Sequence, residues 1–315
     1  MAFEDDLGYD SSQPVAQNFT LSATDIVSRT VSLWFKKILQ YIIIMGIIGA
    51  ASIAVSFALL FVLFDSIGSI GPDPINYVIQ YLLDQFSNPS VFILFIGFSI
   101  FAFVLNAIVF GAAIKFTLDE YGGTGGDIGP SFSHSLSRVV TVIVVQLILG
   151  TIVAVVLTPS TIYLTRALSM IDISDPYNPI IPSQAIELMM IGILIFLVGG
   201  IFLIYIQVRL LPTLAVVIDT DLSAIDSLMR SWDLTSGKFF HTFGSYILII
   251  IIVAIFGIVV SAVAAFTFLP ISYLAVVESL VSSLLFGALT YVYTVVLYRD
   301  LVSRTDTSTL QDLMI

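Results

Sequence analysis

Residues 243–269 read FGSYILIIIIVAIFGIVVSAVAAFTFL, 27 residues without a charge. As a helix at 1.5 Å per residue they are about 40 Å long, against about 30 Å for the hydrocarbon core of a bilayer. In lipid, backbone N–H and C=O groups have no water to bond, so such a run satisfies them within its own helix. This stretch decides the fold class: an all-α membrane bundle.

Five further charge-free stretches meet the same length requirement, at 39–64, 91–114, 139–164, 188–208 and 279–298. Span six follows span five after a tight turn placed around Pro270 and Glu278. Of the chain's residues, 58% are hydrophobic and 10% charged, where soluble domains carry about 25% charged residues. The expectation is a six-span domain over 21–300. An acidic disordered tail (1–20) precedes it and a cytoplasmic tail (301–315) follows. The first 20 residues open acidic and polar, the reverse of a secretory signal, so the sequon at Asn18 is read as meaningless in a cytoplasmic tail.

Basic residues orient the spans. Arg29, Lys36 and Lys37 precede the first, Lys115 and Arg138 lie between the second and third, Arg209, Arg230 and Lys238 between the fourth and fifth, and Arg299 and Arg304 after the sixth. These ten fall on one side, and only Arg166 on the other. The alternation predicts N- and C-termini in the cytoplasm of a cell-membrane protein. The outer loops carry Asp65, Asp73, Asp84, Asp172, Asp175, Glu187 and Glu278, and are too short for a folded external domain.

Eighteen Asp stand against four Glu, with four Lys and seven Arg, for a net charge of −11. An acidic, lysine-poor surface suits a salt-loaded cytoplasm and suggests a halophilic archaeal source; a few acidic loops are the simpler reading. It does not suggest nucleic-acid binding, which wants a basic face. With no cysteine, disulfides, thiol catalysis and cysteine-dependent zinc sites are excluded.

Two segments are amphipathic. In 21–38, Val27, Val31, Trp34, Phe35 and Ile38 share a face opposite Asp25, Arg29 and Lys36. In 222–234, Leu222, Ile225, Leu228, Met229 and Trp232 form a stripe opposite Asp226 and Arg230. Both are expected to lie in the membrane interface, with Trp34, Phe35, Leu228 and Trp232 as anchors. Ser22 with Asp25, and Ser223 with Asp226, are capping-box patterns. The segments align without gaps, LSATDIVSRTVSLWFKK on LSAIDSLMRSWDLTSGK, with seven identities in 17 positions. This points to a parallel repeat of 21–116 and 222–298, with 131–138 as a decayed middle copy. Convergence of two capped interfacial helices is the alternative.

The stretch RLLPTLAVVIDTDLSAIDSLMRSWDLTSGKFFHTFG, Arg209 to Gly244, carries a family pattern. A span ends in Arg209, followed by Pro212, an acidic turn at Asp219, an amphipathic helix with Ser231–Trp232, and then Leu234, Thr235, Gly237, Lys238 and Phe239. It resembles the membrane domain attached to some glycerophosphodiester phosphodiesterases, and its stand-alone prokaryotic relatives of haloarchaeal type and unknown function. Trp34 with Lys36–Lys37 suits that family too. The specific match covers about 36 residues. The resemblance implies a multi-span membrane domain, not hydrolase chemistry, because the hydrolase would be a separate soluble barrel.

No catalytic residues, metal ligands or cofactor are assigned. His134 and His241 are read as solvated or interfacial. The loop EYGGTGGD, Glu120 to Asp127, lacks the Lys-Ser/Thr of a phosphate cradle and reads as a flexible linker. No span carries a central ionisable group, which lowers the case for an ion-driven carrier. Asn106, Gln146 and Gln207 are read first as interhelical hydrogen-bonding groups and second as substrate contacts. Pro159 is expected to end or kink span three. Gly199–Gly200 in span four and Gly257 with its small neighbours in span five are expected to allow close packing. Arg209 and Asp219 are singled out as a charged pair clamping the interfacial helix, with a lipid phosphate on Arg209 as the sharper reading.

The chain is therefore expected to be non-enzymatic, organising lipid or a partner protein at the cytoplasmic leaflet. Its partners would be membrane lipids and a membrane protein or a second copy of itself. The alternative is an uncoupled transporter of a small solute or lipid.

Overall fold

The computed structural model describes residues 21–64, 89–171, 181–265 and 271–312. The tail 1–20, the loop acids Asp65, Asp73, Asp84, Asp172 and Asp175, and Pro270 lie outside the described residues.

The described chain is all helix: α1 (Ala23–Lys36), α2 (Ile38–Phe64), α3 (Pro89–Tyr121), α4 (Ile128–Ser169), α5 (Ser183–Leu210), α6 (Thr213–Asp219), α7 (Ala224–Thr235), α8 (Phe239–Ala265) and α9 (Ile271–Asp312). Among the described residues, five helices are long and apolar enough to cross a membrane. There are six if α1 and the start of α2, bent by 82° at Lys37, count as one. The helices in question are uniformly apolar and show it outward: Leu194, Leu197, Val198 and Ile201 on α5 and Ile255, Ile258 and Val263 on α8 are all exposed. A soluble fold does not leave such contiguous apolar surface uncovered; a helix facing hydrocarbon does.

The core lies towards one end. Helix α9 is its axis, packed by α1, α2, α3 and α8, with α6 also against it. Val292, Tyr293, Val296 and Leu297 of α9 are fully buried beside Phe116 of α3, Tyr41 of α2 and Val216 of α6. The short α6 is buried over five of its seven residues, so it is an internal plug, not a surface connector. Helices α4 and α5 pair along their lengths. A Cβ on Gly192 would meet Leu164 at 2.9 Å, and one on Gly199 would meet Val156 at 3.0 Å, so small residues do bring these two together. Gly257 has nothing within 4 Å, and the close packing expected in span five is not made there.

Boundaries differ from the sequence reading in physical ways. Pro159 sits inside an unbroken α4; neighbouring hydroxyls turn back on the helix, Thr158 Oγ1 donating to Ala154 O at 2.7 Å and Ser160 Oγ to Leu157 O at 2.8 Å. Residues 131–138 are the opening turns of α4, not a separate interfacial helix. Glu278 lies within α9, not in a turn, and α9 continues to Asp312, so the expected C-terminal tail is helical through that residue.

The capping box at Ser22 forms in full, and at Ser223 the N-cap half of the pattern forms. Ser22 Oγ accepts from Asp25 N–H at 3.1 Å while the Asp25 carboxylate accepts from Ser22 N–H at 3.2 Å. The Ser22 hydroxyl, donating to Asp25 Oδ2 at 2.6 Å, and then the Ser22 N–H hold the Asp25 carboxyl below its ordinary range. Ser223 Oγ accepts from Asp226 N–H at 3.3 Å.

The buried faces of α1 and α7 are not the expected stripes. In α1, Ile26, Val27, Thr30 and Trp34 are buried and Phe35 is 55% exposed. Trp34 is a core residue: its Nε1–H donates to Leu285 O at 3.0 Å and its ring lies near Phe256 and Phe286. In α7, Ser227, Ser231, Leu234 and Thr235 are buried, Leu228 and Trp232 are half-buried, and Ile225 and Met229 point outward.

Candidate functional site: a polar belt at one end of the bundle

Helix ends leave orphan backbone groups that need partners, and many helix termini converge at this end of the bundle. Four clusters answer that need.

The first centres on Asp300 of α9, whose side chain is fully buried. Its Oδ1 accepts from Leu21 N–H at 2.6 Å, just before α1. Its Oδ2 accepts from His241 Nε2–H and from Arg304 Nε–H, both at 2.9 Å. A carboxylate can only accept, so His241 carries its proton on Nε2. Arg304 also donates to Leu21 O. One carboxylate thus joins α1, α8 and α9.

The second clamps the C-terminal end of α6. Asp219 accepts from Tyr298 Oη at 2.8 Å and from Arg299 at 3.1 Å. His134 Nε2–H donates to Ile218 O at 2.9 Å. Arg138 donates to Thr220 O and pairs with Asp221 at 3.2 Å. Asp219 is therefore the partner of Arg299 and Tyr298, not of Arg209 as the sequence suggested. His134 and His241, both half-buried, each make a hydrogen bond that ties one helix to another.

The third cluster fixes the glycine loop. Glu120 pairs with Lys37 at 3.0 Å and accepts from Gly126 N–H at 2.9 Å. Gly126 lies so close to Phe116 that a Cβ would meet its ring at 2.8 Å, and Gly123 and Gly125 have φ of 77° and 79°. These are conformations L side chains avoid. The glycines make a tied turn here.

The fourth surrounds Arg209, in the last turn of α5. Its carbonyl accepts from Ser231 Oγ at 3.1 Å, and Thr235 Oγ1 is also 3.1 Å from it. This explains why α7 buries Ser231 and Thr235: they reach an orphan carbonyl that an apolar stripe could not satisfy. The guanidinium lies over the Trp232 ring, 4.3 Å from its centroid, and 5.9 Å from that of Tyr205. NH1 donates to Thr235 Oγ1 at 3.4 Å, and Nε is buried without an acceptor.

The other residues singled out in the sequence do not converge. Asn106 Nδ2 donates to Ala102 O of its own helix at 2.7 Å, and Gln207 Nε2 donates to Tyr246 Oη at 2.7 Å. Gln146 Oε1 is buried without a partner. Among the described hydrogen bonds, none joins any two of Arg209, Asn106, Gln146 and Gln207.

Residues 132–301 match the family model described as Domain of unknown function (DUF7847), more than half of the chain. The chain belongs to the DUF7847 family. No curated protein and no solved structure matches it. The DUF7847 region holds His134, Arg138, Arg209, Asp219, His241 and Asp300. Leu21, Lys37, Glu120 and Arg304, which complete two of the four clusters, lie outside it. Missing from the sequence reading was Asp300, one of 18 Asp. The available signal was its spacing of four from Arg304, which puts the two on one helical face.

Proposed function

We propose that this DUF7847 protein is a non-enzymatic integral membrane protein. Six spans carry both termini on the cytoplasmic side, and the protein organises lipid or a membrane partner at that leaflet. The observation that carries this reading is the division of labour in the bundle. Apolar side chains face outward along α4, α5 and α8, while the described ion pairs gather at the end bearing ten of the eleven basic residues. At that end the buried carboxylate of Asp300 and the more exposed one of Asp219 are each occupied by two cationic or hydroxyl donors, an arrangement that locks helices instead of moving protons. The outward-facing Ile225 and Met229 of α7, level with the belt, supply an apolar contact to the interface.

The resemblance to the membrane domain of glycerophosphodiester phosphodiesterases is in keeping with a supporting role beside another activity. The parallel repeat gains support from burial: Ile26, Thr30 and Trp34 of α1 occupy the same positions as Ser227, Ser231 and Thr235 of α7, and all six are buried. The acid-rich composition fits a high-salt cytoplasm.

Purification from native membranes in mild detergent at high salt, followed by mass spectrometry of what remains bound, tests the reading. A stoichiometric protein or lipid is expected; a protein that comes away bare would refute it. An uncoupled carrier is the second reading, favoured by the unpartnered Gln146 Oε1 within α4. Flux of small polar solutes into proteoliposomes, lost in Gln146→Leu, would select it.

A further inference from the structure

Arg209 is 8% exposed. Taking a guanidinium out of water costs several kcal/mol unless an anion or a full set of acceptors replaces the water. Four other cations of the belt have such partners: Lys37 pairs with Glu120, Arg138 with Asp221, Arg299 with Asp219 and Arg304 with Asp300. Among the described residues, no carboxylate lies within ion-pair distance of Arg209, its single hydrogen bond is the long 3.4 Å contact to Thr235, and its buried Nε–H meets no acceptor. The carbonyls at the C-terminal end of α5 offset part of the charge, but Arg209 O is already taken by Ser231 and Thr235.

The surroundings suit a group at the membrane surface. Tyr205 packs on Trp232 at 6.0 Å and on Phe239 at 5.2 Å, and Phe239 stacks on Phe243 at 5.7 Å. Phe240 beside them is 84% exposed. Tyr and Trp concentrate at the level of lipid headgroups, and a planar guanidinium fits phosphate oxygens two at a time.

We propose that Arg209, framed by Tyr205, Trp232 and Thr235 where α5, α7 and the start of α8 meet, binds a phosphate group. The phosphate comes from a phospholipid headgroup or from a free phosphate. The proposal rests on the reading of this end as lying at the membrane surface, and it names the ligand chemistry of that surface.

The test uses the full chain in an uncharged detergent. Three probes are titrated separately: a short-chain phosphatidylglycerol, the matching diacylglycerol without phosphate, and inorganic phosphate. Trp232 fluorescence and the unfolding midpoint are followed. A saturable response is expected from phosphatidylglycerol and none from diacylglycerol. In Arg209→Gln the response should weaken at least tenfold, and in Arg209→Lys, which keeps the charge but loses the paired donors, by a smaller factor. An equal response to inorganic phosphate assigns the site to a free phosphate; a response to the lipid alone assigns it to a headgroup. Should Arg209→Gln not fold, Arg209→Lys and the phosphate-free lipid still decide. The proposal is overturned by flat titrations with both phosphate-bearing probes, or by equal responses from wild type and Arg209→Lys. Either result leaves the span topology, measured separately, untouched.

Discussion

Replacing Asp300 with Asn removes one negative charge and turns one of two acceptor oxygens into a donor. Three donors converge on that side chain: Leu21 N–H on Oδ1, and His241 and Arg304 on Oδ2. An Asn oxygen turned toward Leu21 leaves its NH2 facing Arg304; turned the other way, NH2 faces Leu21 N–H. His241 can relieve part of the conflict by shifting its proton to Nδ1 and accepting on Nε2; Arg304 has no such option. Breaking a buried charge pair by removing one partner costs about 3–5 kcal/mol. The side chains of Arg304 and His241 are 26% and 20% exposed and recover some hydration, so about 3 kcal/mol is expected here. Because Asp300 holds the chain just before α1, this loss appears first as local opening of α1, about a hundredfold more often. Limited trypsin digestion in detergent reads it at the exposed Lys36. Cleavage there should rise more than tenfold in Asp300→Asn, together with a red shift of Trp34 fluorescence in a Trp232→Phe background, as Trp34 leaves Leu285, Phe256 and Phe286. Unchanged cleavage and an unchanged unfolding midpoint would refute the reasoning.

Asp219→Asn should cost less, about 1 kcal/mol, because its partner Arg299 is 36% exposed and such pairs are screened; its unfolding midpoint should fall less than that of Asp300→Asn. Gly111→Val should lower the midpoint strongly, by about 1–3 kcal/mol, since even a Cβ there would sit 2.2 Å from Ser135 Oγ and 3.2 Å from Ile218 Cδ1. Ile225→Asp combined with Met229→Asp should speed trypsin cleavage at Arg230 in membranes while leaving the rate in detergent unchanged; equal rates in membranes would mean that this face does not touch lipid. If the acidic composition is an adaptation to salt, the unfolding midpoint should climb steadily from dilute to multimolar potassium chloride, and a flat dependence would remove that reading.

Local rules made much of the fold legible. The runs that became α3, α4, α5 and α8 announce themselves by length and apolarity, and the Ser22 and Ser223 caps depend on residues three positions away. What escaped depends on distant partners. Asp300 meets Leu21 across 279 positions and His241 across 59, and its one local signal is the spacing of four from Arg304. The face of α7 was misread because hydrophobic periodicity assumes that apolar residues point inward. Here the end of α5 presents a carbonyl, so Ser231 and Thr235 turn in, and Ile225 and Met229 turn out. The same rule misplaced Phe35 by one position on α1, where the buried face is set by Ile26, Thr30 and Trp34 packing on α8 and α9. Arg209 was legible as a residue at a span end, but its pairing was not. Asp219, ten positions on, looked like its partner, and only the seven-residue α6 between them, carrying Asp219 away to Tyr298 and Arg299, separates the two.

The central claim is that the polar belt lies in the cytoplasm and the opposite helix ends outside. The chain has no cysteine, so single cysteines can be placed at exposed positions of the belt (Thr124→Cys, Ser236→Cys) and of the far end (Ser169→Cys, Ser183→Cys). A membrane-impermeant maleimide applied to intact cells should label Ser169→Cys and Ser183→Cys, and should reach Thr124→Cys and Ser236→Cys only after the membrane is opened. Labelling of both sets from the same side, or in the reverse order, would contradict the account.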